Sequence, residues 1–456
     1  MSARDVVKKL VPTKLFMAAE PTGHLLEAVM WNVLMGFPAK GLRVIGVTGT
    51  DGKTSTSTLI AHMLRTAGYK VAMMTTISVD YGDGAGEIDN PTRLTTMGAR
   101  DLLTKIKKIK ANDVDFLVLE TTSHALAQHR TWGVPYMLAV FTNLGHEHLD
   151  YHKTFERYRD AKRLMFQQTN ANKKGLRTGI VNADDEVASY FISDIEHSIT
   201  YGIKQGDIRA TNVKMTPSGS RYTVKTDDTE YRIECHVPGS FNVYNSLAAV
   251  CAGRALNLTK DQIEKGIASL RSVEGRMTRV DEGQDFDVIV DYAHTPESFD
   301  KILAEVRPLA KNRLICVFGS AGRRDEAKRA AQGKIAGKWC DIVIATEEDD
   351  RDIDGNEILS QIASGAEASG KVQDKDLFLI LNREAAVQKA IDLVQTGDLV
   401  ILLGKGHEKS ILYNGPKAAE LRHLPQNDGD MQRVLKRAYD EVTVVREAIQ
   451  KKRHSL

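Results

Sequence analysis

Short apolar runs alternate with amphipathic stretches along most of the chain, starting at Gly41. The first series of runs covers residues 43–47, 116–120, 138–144 and 179–182. Helical patterns lie between them, for example at residues 55–67 and 154–168. Apolar runs separated by amphipathic helices are typical of a parallel sheet covered by helices. We therefore predict an α/β domain with a central parallel sheet.

Residues 208–237 have a different pattern, because polar and apolar positions alternate on both sides of Asp227 and Asp228. Alternation with a period of two is typical of strands with one solvent-exposed face. We predict an antiparallel insertion at one edge of the first sheet. Two helical segments, residues 243–256 and 260–270, follow it.

A second series of apolar runs begins after Glu274-Gly275-Arg276. Its predicted strands are residues 288–291, 314–318, 342–346, 377–381 and 399–403, with helical stretches between them. We therefore divide the chain into a short N-terminal helical segment (residues 1–40) and two α/β domains (residues 41–272 and 273–456). Within the first segment, residues 24–38 predict an amphipathic helix that packs on the body of the protein. The alternative is a helix that docks on a partner or a membrane.

Composition and charge exclude some functions. The chain has 456 residues, with 62 Lys+Arg against 60 Asp+Glu and a net charge of +2. A surface that binds nucleic acid needs a pronounced basic excess, so we predict no nucleic-acid partner. The four scattered cysteines lie mostly in apolar runs, which predicts buried thiols and a cytoplasmic location. The apolar stretch near the start is short and interrupted, so we predict no stable membrane insertion.

A glycine-rich segment follows the first apolar run and precedes a helix that opens at Ser55. In such a segment, free backbone N–H groups and the helix N-terminus surround phosphate oxygens. Lys53 would neutralise the β/γ-phosphates, and the Thr54 hydroxyl would ligate Mg²⁺. Val47 replaces the usual first glycine of this motif, so the strand, turn and helix context carries the prediction. The candidate nucleotide-binding residues are Gly49, Thr50, Asp51, Gly52, Lys53 and Thr54.

Acidic residues and histidines follow the next two predicted strands. One strand ends at Glu120, and a carboxylate at this end of a parallel strand points into the ligand crevice of open α/β sheets. The other leads to residues 146–152, where three histidines and two acids occupy seven positions. A zinc site, a solvated loop and a magnesium shell all fit this cluster. An oxygen-rich Mg²⁺ shell with one histidine is favoured near a phosphate loop.

An ordered set of motifs resembles the Mur ligase family, and within it the ligases that add the third residue of a cell-wall peptide. The similarity extends from Gly41 to about Asp430. It rests on residues 49–54, 120–124, 141–152, 160–162, 239–245, 274–277, 290–296, 318–325 and 404–408. The resemblance implies a central ATPase-type parallel sheet domain with a phosphate loop, followed by a Rossmann-like α/β domain. It also implies an ATP-dependent ligase that forms an amide through an acyl phosphate.

The family's roles imply catalytic functions for Lys53, Glu120, His148 and Lys162. Two Mg²⁺ ions would be held by Thr54, Glu120 and His148, with support from Lys162 as a carbamate. By itself Lys162 would be interpreted as a surface lysine. His146 and His152 would be supporting or structural residues. Further nucleotide contacts are implied at Asn245, Arg276 and Asp291.

The resemblance implies further residues for the acceptor and for the incoming amino acid. These residues are Thr95, Thr96, Thr122, Ser123, Asp349, Arg351, Gly404 and Glu408. Residues 348–351 align with an Asp-Asn-Pro-Arg motif of ligases specific for meso-diaminopimelate. Arg351 is retained as a carboxylate clamp, whereas Asp349 and Asp350 add negative charge that favours an ammonium, as in lysine. The sequence therefore predicts a diamino acid and leaves lysine and meso-diaminopimelate open.

About forty residues precede the phosphate loop, fewer than the uridine-nucleotide-binding domain of the family needs. We therefore expect that this domain is missing, and that the UDP end of the acceptor is held differently or by a partner subunit. The expected partners are otherwise small molecules: ATP, an amino acid and a muramyl-peptide-like acceptor. A related amide ligase of the folylpolyglutamate, cyanophycin or poly-γ-glutamate type is the alternative enzyme. A catalytically silent scaffold is a third alternative.

Overall fold

A computed structural model describes residues 13–90, 97–145, 147–323, 326–414, 420 and 434–454. The chain divides into two compact units. The first contains the described parts of Met1–Val213, Arg221–Cys235 and Phe241–Leu270. The second contains Lys214–Ser220, His236–Ser240 and the described part of Arg271–Leu456. Both units are built on a largely parallel sheet, which confirms the predicted α/β fold class.

The first unit combines a large sheet with helices on its faces. Its strands are β1 (Val44–Thr48), β2 (Val71–Met74), β3 (Ser78–Asp80), β4 (Ile88–Asp89), β5 (Phe116–Glu120), β6 (Tyr136–Phe141), β7 (Thr178–Asn182), β8 (His197–Gly202), β9 (Ile208–Thr216), β10 (Gly219–Lys225) and β11 (Glu230–Cys235). Its helices are α1 (Thr13–Leu34), α2 (Lys53–Thr66), α3 (Ala99–Ala111), α4 (Ser123–Ala127), α5 (Leu149–His152), α6 (Phe155–Ala171), α7 (Ala188–Ile192), α8 (Ser240–Ala255) and α9 (Lys260–Ser269).

The strand order positions the phosphate loop at the centre of the sheet. Among the described residues the order is β11-β10-β9-β8-β7-β6-β1-β5-β2-β3-β4. Strand β1 pairs in parallel with both β5 and β6, with Val47 opposite Glu120 and Thr48 opposite Phe141. The chain segments that leave these three strands therefore meet at one edge. Strands β9, β10 and β11 extend the other side of the sheet, and the two-residue β9–β10 connection makes that pair antiparallel.

Local sequence explains where the helices of this unit begin and which face they bury. Helix α6 starts after Thr154, whose Oγ1 accepts a hydrogen bond from the Arg157 N–H at 3.2 Å and caps the first turn. Helix α3 buries Leu102, Leu103, Ile106 and Ile109, which lie on one face of the helix. Leu102, Ile106 and Ile109 join the core of the unit, and the lysines of α3 are left on the outside.

The second unit is a smaller α/β structure. Its strands are β12 (Thr278–Arg279), β13 (Asp287–Asp291), β14 (Leu314–Phe318), β15 (Ile342–Ala345), β16 (Leu377–Leu379), β17 (Leu399–Leu403), β18 (Ser410–Asn414) and β19 (Val434–Ala438). Its helices are α10 (Pro296–Val306), α11 (Ala327–Trp339), α12 (Gly355–Glu367), α13 (Arg383–Leu393) and α14 (Glu441–His454), with a 3₁₀ turn at Arg307–Leu309.

The main sheet of this unit has the order β12-β13-β17-β14-β15-β16 among the described residues. Strands β13 to β17 of this sheet run parallel, and β12 is antiparallel to β13. The loops after β13, β14, β15 and β17 therefore lie at one edge, which is where open α/β sheets bind ligands. Strands β18 and β19 form a separate antiparallel pair that the sequence pattern did not predict.

Helix α1 differs from the prediction in its bounds and in the face that it buries. It ends at Leu34, four residues before Pro38, which cannot continue a helix. The side that packs on the unit carries Ala28 and Asn32, both fully buried, whereas Leu26, Met30, Val33 and Leu34 are exposed. The helix thus packs on the body, as predicted, but the side that it buries carries Ala28 and Asn32 and not its largest apolar residues. No helix in the described residues is both long and apolar enough to cross a membrane.

Candidate active site

The phosphate loop lies between β1 and α2, and two of its glycines are required by close contacts. Gly52 has a φ of 77°, and a Cβ there would lie 2.3 Å from Asn245 Oδ1. At Gly49 a Cβ would lie 1.8 Å from Thr142 Oγ1. Because Gly52 caps α2 and has no side chain, the first N–H groups of the helix have no side-chain cap. Such groups are available to phosphate oxygens.

The segment that leaves β6 holds the phosphate loop in place. Asn143 accepts a hydrogen bond from the Asp51 N–H on Oδ1 at 2.9 Å and donates from Nδ2 to the Asp51 carbonyl at 3.0 Å. Thr142 Oγ1 donates to the same carbonyl at 2.7 Å. Lys53 folds back over the loop, and its Nζ donates to the Thr50 carbonyl at 2.6 Å. Thr142 and Asn143, which were not among the predicted site residues, thus hold the loop in place.

Thr54 and Glu120 lie against each other at the end of β5. Thr54 Oγ1 donates to Glu120 Oε2 at 2.9 Å, and Glu120 is 1% exposed. Thr76, which follows β2, donates to the same carboxylate from its N–H and from its Oγ1, each at 3.0 Å. Sequence reasoning missed Thr76, although its position just after a strand adjacent to β5 is a signal that could have identified it.

Lys162 points from α6 into the phosphate loop. Its side chain is 1% exposed, and Nζ donates to the Gly49 carbonyl at 2.5 Å. Burial lowers the pKa of Lys162 well below its ordinary value, and the nearby Lys53 cation lowers it further. The Lys162 Nζ also lies 4.5 Å from the centroid of the Tyr158 ring. Lys162 is therefore a buried residue of the site.

Tyr158 links several parts of the site, although the sequence pattern gave it no role. Its hydroxyl shares a 3.0 Å hydrogen bond with Thr50 Oγ1, which also accepts from the Gly145 N–H at 2.8 Å. Burial raises the pKa of Tyr158 above its ordinary range, so the phenol stays protonated at neutral pH. The hydroxyl and ring therefore connect the phosphate loop, α6 and the histidine segment.

Two histidines of the predicted cluster are described, and they differ in environment. His148 has a left-handed φ of 56°, and its side chain is 47% exposed. Its ring centroid lies 4.7 Å from that of His124 and 5.8 Å from that of Tyr158. His152 is buried, and its Nε2 shares a 3.0 Å hydrogen bond with Ser123 Oγ. His146 lies outside the described residues.

The side chains near the loop offer oxygen donors suited to Mg²⁺. The Thr54 hydroxyl and the Glu120 carboxylate are adjacent, and they lie at the end of β5 beside the loop. Protein sites usually bind Mg²⁺ through one or two carboxylates, substrate phosphates and water, so this pair fits the ion. Within the described part of the chain, no three His, Cys, Asp or Glu side chains are grouped closely enough to hold a metal by themselves.

Three other residues assigned to ligands have structural contacts. Asn245 is buried, accepts from Thr56 Oγ1 at 3.1 Å and donates to Asn242 Oδ1 at 2.8 Å. Thr122 Oγ1 caps α4 by accepting from the Ala125 N–H at 3.2 Å. The third, Ser123, is bonded to His152 as described above. The predicted acceptor residues Thr95 and Thr96 lie outside the described residues.

The second unit carries the remaining predicted nucleotide contacts. Asp291 is buried and accepts from the backbone N–H groups of Met277 and Ala293, each at 2.8 Å. The guanidinium of Arg276 lies 5.1 Å from the centroid of the Tyr292 ring. Asp291 thus joins the loop after β13 to the segment before β12.

A buried lysine is paired with two of the acids predicted to bind the substrates. Lys405 is 0% exposed, and its Nζ donates to Asp349 Oδ1 at 2.9 Å and to Glu408 Oε2 at 2.6 Å. Asp349 Oδ1 also accepts from the Leu412 N–H at 3.0 Å. The Asp349 carboxylate is therefore held in an ion pair inside the protein, while the three side chains together keep one net negative charge.

Arg351 and Glu348 lie on either side of Asp349 in sequence and have different environments. Arg351 has a left-handed φ of 59°, and β18 holds its backbone through Leu412 and Asn414. Its guanidinium forms no ion pair with any residue that the structure describes. Glu348 is buried beside Gly404, and burial raises the pKa of its carboxyl to about 7.

Two stretches of the chain match domains of one enzyme family. Residues 47–253 match the Mur ligase middle domain, and residues 275–406 match the Mur ligase, glutamate ligase domain. Together the two matches span most of the chain.

Individual relatives agree with this assignment. The chain is 38% identical over 405 residues to the UDP-N-acetylmuramyl-tripeptide synthetase of Roseiflexus sp. (strain RS-1), covering 86% of this chain and 79% of that protein. It is 38% identical over 396 residues to the UDP-N-acetylmuramoyl-L-alanyl-D-glutamate--2,6-diaminopimelate ligase of Geobacillus thermodenitrificans (strain NG80-2), covering 85% of this chain and 78% of that protein. These comparisons give no support to a partner subunit.

A solved structure with the same enzyme name as the Geobacillus relative has a TM-score of 0.66 and 29% identity, covering 91% of this chain and 80% of that chain. The resemblance seen in the motifs is thus confirmed, as is the expectation of an enzyme. The chain belongs to the Mur ligase family of ATP-dependent ligases, which form C–N bonds.

Proposed function

We propose that this enzyme adds a diamino acid to a UDP-N-acetylmuramoyl-dipeptide-like acceptor in the synthesis of peptidoglycan precursors. The printed names of its relatives support this acceptor and this class of amino acid. The observation that carries the proposal is the buried Lys162 amine against the Gly49 carbonyl, beside the Thr54–Glu120 pair. We place the activity in the cytoplasm, because all four cysteines are buried free thiols and the reaction consumes ATP.

The proposed reaction has two steps. A carboxylate oxygen of the acceptor attacks the γ-phosphorus of ATP, the bond to the bridging oxygen breaks, and an acyl phosphate and ADP form. The amino nitrogen of the incoming amino acid then attacks the acyl carbon. The C–N bond forms, the C–O bond to phosphate breaks, and the amine loses a proton. The loop N–H groups, the α2 N-terminus and Lys53 stabilise the charge on the transferred phosphoryl group.

Thr54 and Glu120 are the proposed Mg²⁺ ligands of the first site, and His148 is the proposed ligand of a second. Bound Mg²⁺ would offset the negative charge of the nucleotide phosphates. Lys162 would act as a carbamate: its neutral amine attacks CO₂, an N–C bond forms and a proton leaves. The burial of Lys162 supports this role, because burial favours the neutral amine. The resulting carbamate would carry a negative charge on a side chain that is a cation in an ordinary exposed lysine.

The remaining predicted nucleotide residues are proposed to act mainly by positioning. Asn245 supports Gly52 and the first turn of α2, and Asp291 holds the loop after β13. Arg276 remains the proposed cationic contact of the second unit. For a second enzyme candidate, the folylpolyglutamate type, no contact among the described residues favours a folate over the muramyl-peptide acceptor.

The contacts of residues 348–351 bear on the amino acid. With Asp349 paired to Lys405 and Arg351 unpaired among the described residues, the motif favours a substrate that brings a second carboxylate. We therefore propose meso-diaminopimelate ahead of lysine. Gly404 and Glu408 would complete this part of the site.

An acceptor and amino-acid screen tests the proposed function. The full chain is incubated with ATP and Mg²⁺, and ADP formation and the amide product are measured by a coupled assay and mass spectrometry. We expect turnover only when the UDP-muramyl dipeptide and a diamino acid are both present. Turnover with a folate acceptor, or with alanine or glutamate in preference to either diamino acid, would contradict the proposal.

Lys162→Ala tests the proposed carbamate. We expect turnover to fall by about a thousandfold, because an anion that supports the metal site is lost. A short carboxylic acid such as acetate should restore part of the activity by occupying the cavity. Lys173→Ala, at an exposed lysine just after α6, is the matched control and should leave turnover unchanged. Full activity in Lys162→Ala would exclude the carbamate role.

A further inference from the structure

Helix α1 presents a row of apolar side chains to solvent. Leu26, Met30, Val33 and Leu34 are 64%, 47%, 59% and 67% exposed, and Phe37 just beyond the helix is 42% exposed. We call these five residues the α1 stripe. Within the described residues nine large hydrophobic side chains are exposed, and five of them lie between positions 26 and 37. Single exposed apolar residues are common, but such a concentration marks an interaction surface.

The opposite side of α1 is fixed to the body of the first unit. Ala28 and Asn32 are fully buried, and Asn32 Nδ2 donates to the Trp132 carbonyl at 3.0 Å. The helix therefore cannot turn its stripe inward without breaking this contact. The stripe is a convex ridge on one side of a single helix.

A row of cations lies next to the stripe on α3. The Arg100 guanidinium lies 4.8 Å from the centroid of the Trp31 ring on α1, and Lys110 Nζ donates to the carbonyl of Lys40, in the segment after α1, at 2.7 Å. Helix α3 has one acid, Asp101, and five basic residues. These basic residues are Arg100, Lys105, Lys107, Lys108 and Lys110. The Nζ atoms of Lys105 and Lys108 lie 5.9 and 4.1 Å from the centroid of the Tyr81 ring, so these two side chains lie against the residue after β3 and not against α1. None of the five forms an ion pair with a residue that the structure describes.

The surface could bind a second copy of the chain, another protein or a lipid bilayer, and its charge distinguishes between these three. Two copies packed stripe to stripe about a two-fold axis would bring the cations of both α3 helices to the same interface, and like charges there are costly. A protein partner would need pockets to take up a convex ridge. An anionic bilayer accepts a ridge between its headgroups and attracts lysines beside it, and the two signals together give stable binding.

We propose that the α1 stripe and the cations of α3 form a docking face for an anionic phospholipid bilayer. Helix α1 would lie in the plane of the interface, with its stripe among the upper acyl chains and the lysines of α3 at the phosphate level. This inference does not depend on the proposed function, because none of these residues belongs to the phosphate loop or to its neighbours.

Vesicle flotation with the full chain tests the docking face. The probe is a vesicle of equal parts phosphatidylcholine and phosphatidylglycerol, and vesicles of pure phosphatidylcholine serve as the neutral comparison. We expect the protein to float with the anionic vesicles and to stay in solution with the neutral ones. Added salt should release it, because it screens the attraction between lysines and headgroups.

Matched variants test the two parts of the face separately. Lys107→Gln should reduce the partition coefficient about fivefold, whereas Lys265→Gln, an exposed lysine on α9, should not change it. Val33→Ser should reduce it by about fivefold or more, whereas Val372→Ser, at a valine that is 53% exposed elsewhere, should not. Thermal unfolding of each variant checks that the fold is retained.

Four outcomes would overturn the proposal. One is the absence of binding to anionic vesicles, and another is equal binding by Val33→Ser and the parent chain. A dimer in light scattering that Val33→Ser dissolves, without vesicle binding, would assign the stripe to a second copy. Binding of poly-glutamate in place of vesicles would assign the cations to an acidic protein partner.

Discussion

The backbone of the phosphate loop is shaped by residues far away in sequence. Lys162 reaches the Gly49 carbonyl across 113 residues, and Thr56, in the first turn of α2, bonds Asn245 across 189 residues. Gly52 is confined in two ways, by its left-handed φ and by the Asn245 side chain against it. The sequence motif identifies the loop, but these contacts decide which substitutions it tolerates.

Gly52→Ala tests the two constraints on that glycine together. A Cβ would strain the backbone and collide with Asn245, so we expect a loss of stability of about 1–3 kcal/mol. We also expect a loss of about a hundredfold in kcat/KM, because the loop must move. Urea unfolding and steady-state kinetics measure the two effects.

Gly68→Ala is the matched control for this variant. Gly68 has a φ of 96° at the other end of α2, but no atom lies within 4 Å of the position of its Cβ. It should therefore show the backbone strain without the effect on kcat/KM. Equal kinetic losses in both variants would contradict the role assigned to the Asn245 contact.

At the scale of elements, a buried ion pair joins the starts of two helices in the second unit. Arg383 begins α13 and Glu441 begins α14, and both side chains are 0% exposed. Arg383 also donates to the Glu347 and Leu403 carbonyls at 2.9 Å each, so it links the two helices to the ends of β15 and β17. Loss of either side chain would leave the charge of the other buried without its counter-ion, because neither side chain can reach water.

Arg383→Met should destabilise the second unit by about 3–5 kcal/mol, because it leaves Glu441 as an unpaired buried charge. The double variant Arg383→Met/Glu441→Leu should recover part of this loss, because no charge then remains buried. Urea unfolding of both variants measures the difference. Lys260→Met, which removes an exposed pair with Glu264 on α9, is the control and should cost at most about 0.5 kcal/mol. A double variant less stable than Arg383→Met would contradict this account.

At the scale of the whole molecule, the candidate nucleotide residues lie in both units, whereas Arg351 and Glu408 lie in the second. The phosphate loop, Glu120 and Lys162 belong to the first unit, and Arg276 and Asp291 belong to the second. Because Arg351 is outside the unit that carries the phosphate loop, its substitution should leave the loop undisturbed.

Arg351→Ala should affect the amino acid and not the nucleotide. We expect the KM for meso-diaminopimelate to rise about tenfold to a hundredfold, because a charge-assisted hydrogen bond is lost. The dissociation constant for ATP, measured by titration calorimetry, should stay the same. Any preference for meso-diaminopimelate over lysine should also disappear.

Arg351→Lys is the control, because it keeps the charge and loses the fork of donors, so its effect should be intermediate. An unchanged ratio between the two amino acids in Arg351→Ala would show that Arg351 does not select the substrate.

Strands that coincide with a continuous apolar run were predicted well, and the differences have identifiable causes. Residues 116–120 form β5 as predicted, because a continuous apolar run ends at one polar residue. Strand β6 was predicted to reach residue 144 but ends at Phe141, because Thr142 and Asn143 leave the sheet to hold the phosphate loop. The roles of Thr76 and Tyr158 were missed, because each depends on a partner in another element.

The sequence by itself determined the α/β class, the phosphate loop and the order of the Mur ligase motifs, because local periodicity and short runs of residues are enough to indicate them. Only the tertiary structure decided that Lys162 is buried, that Asp349 is paired with Lys405, and that α1 turns its apolar side outward. Burial and charge pairing depend on residues that are distant along the chain and adjacent in space. A pattern along the chain shows which side chains are available, and the fold decides which of them meet.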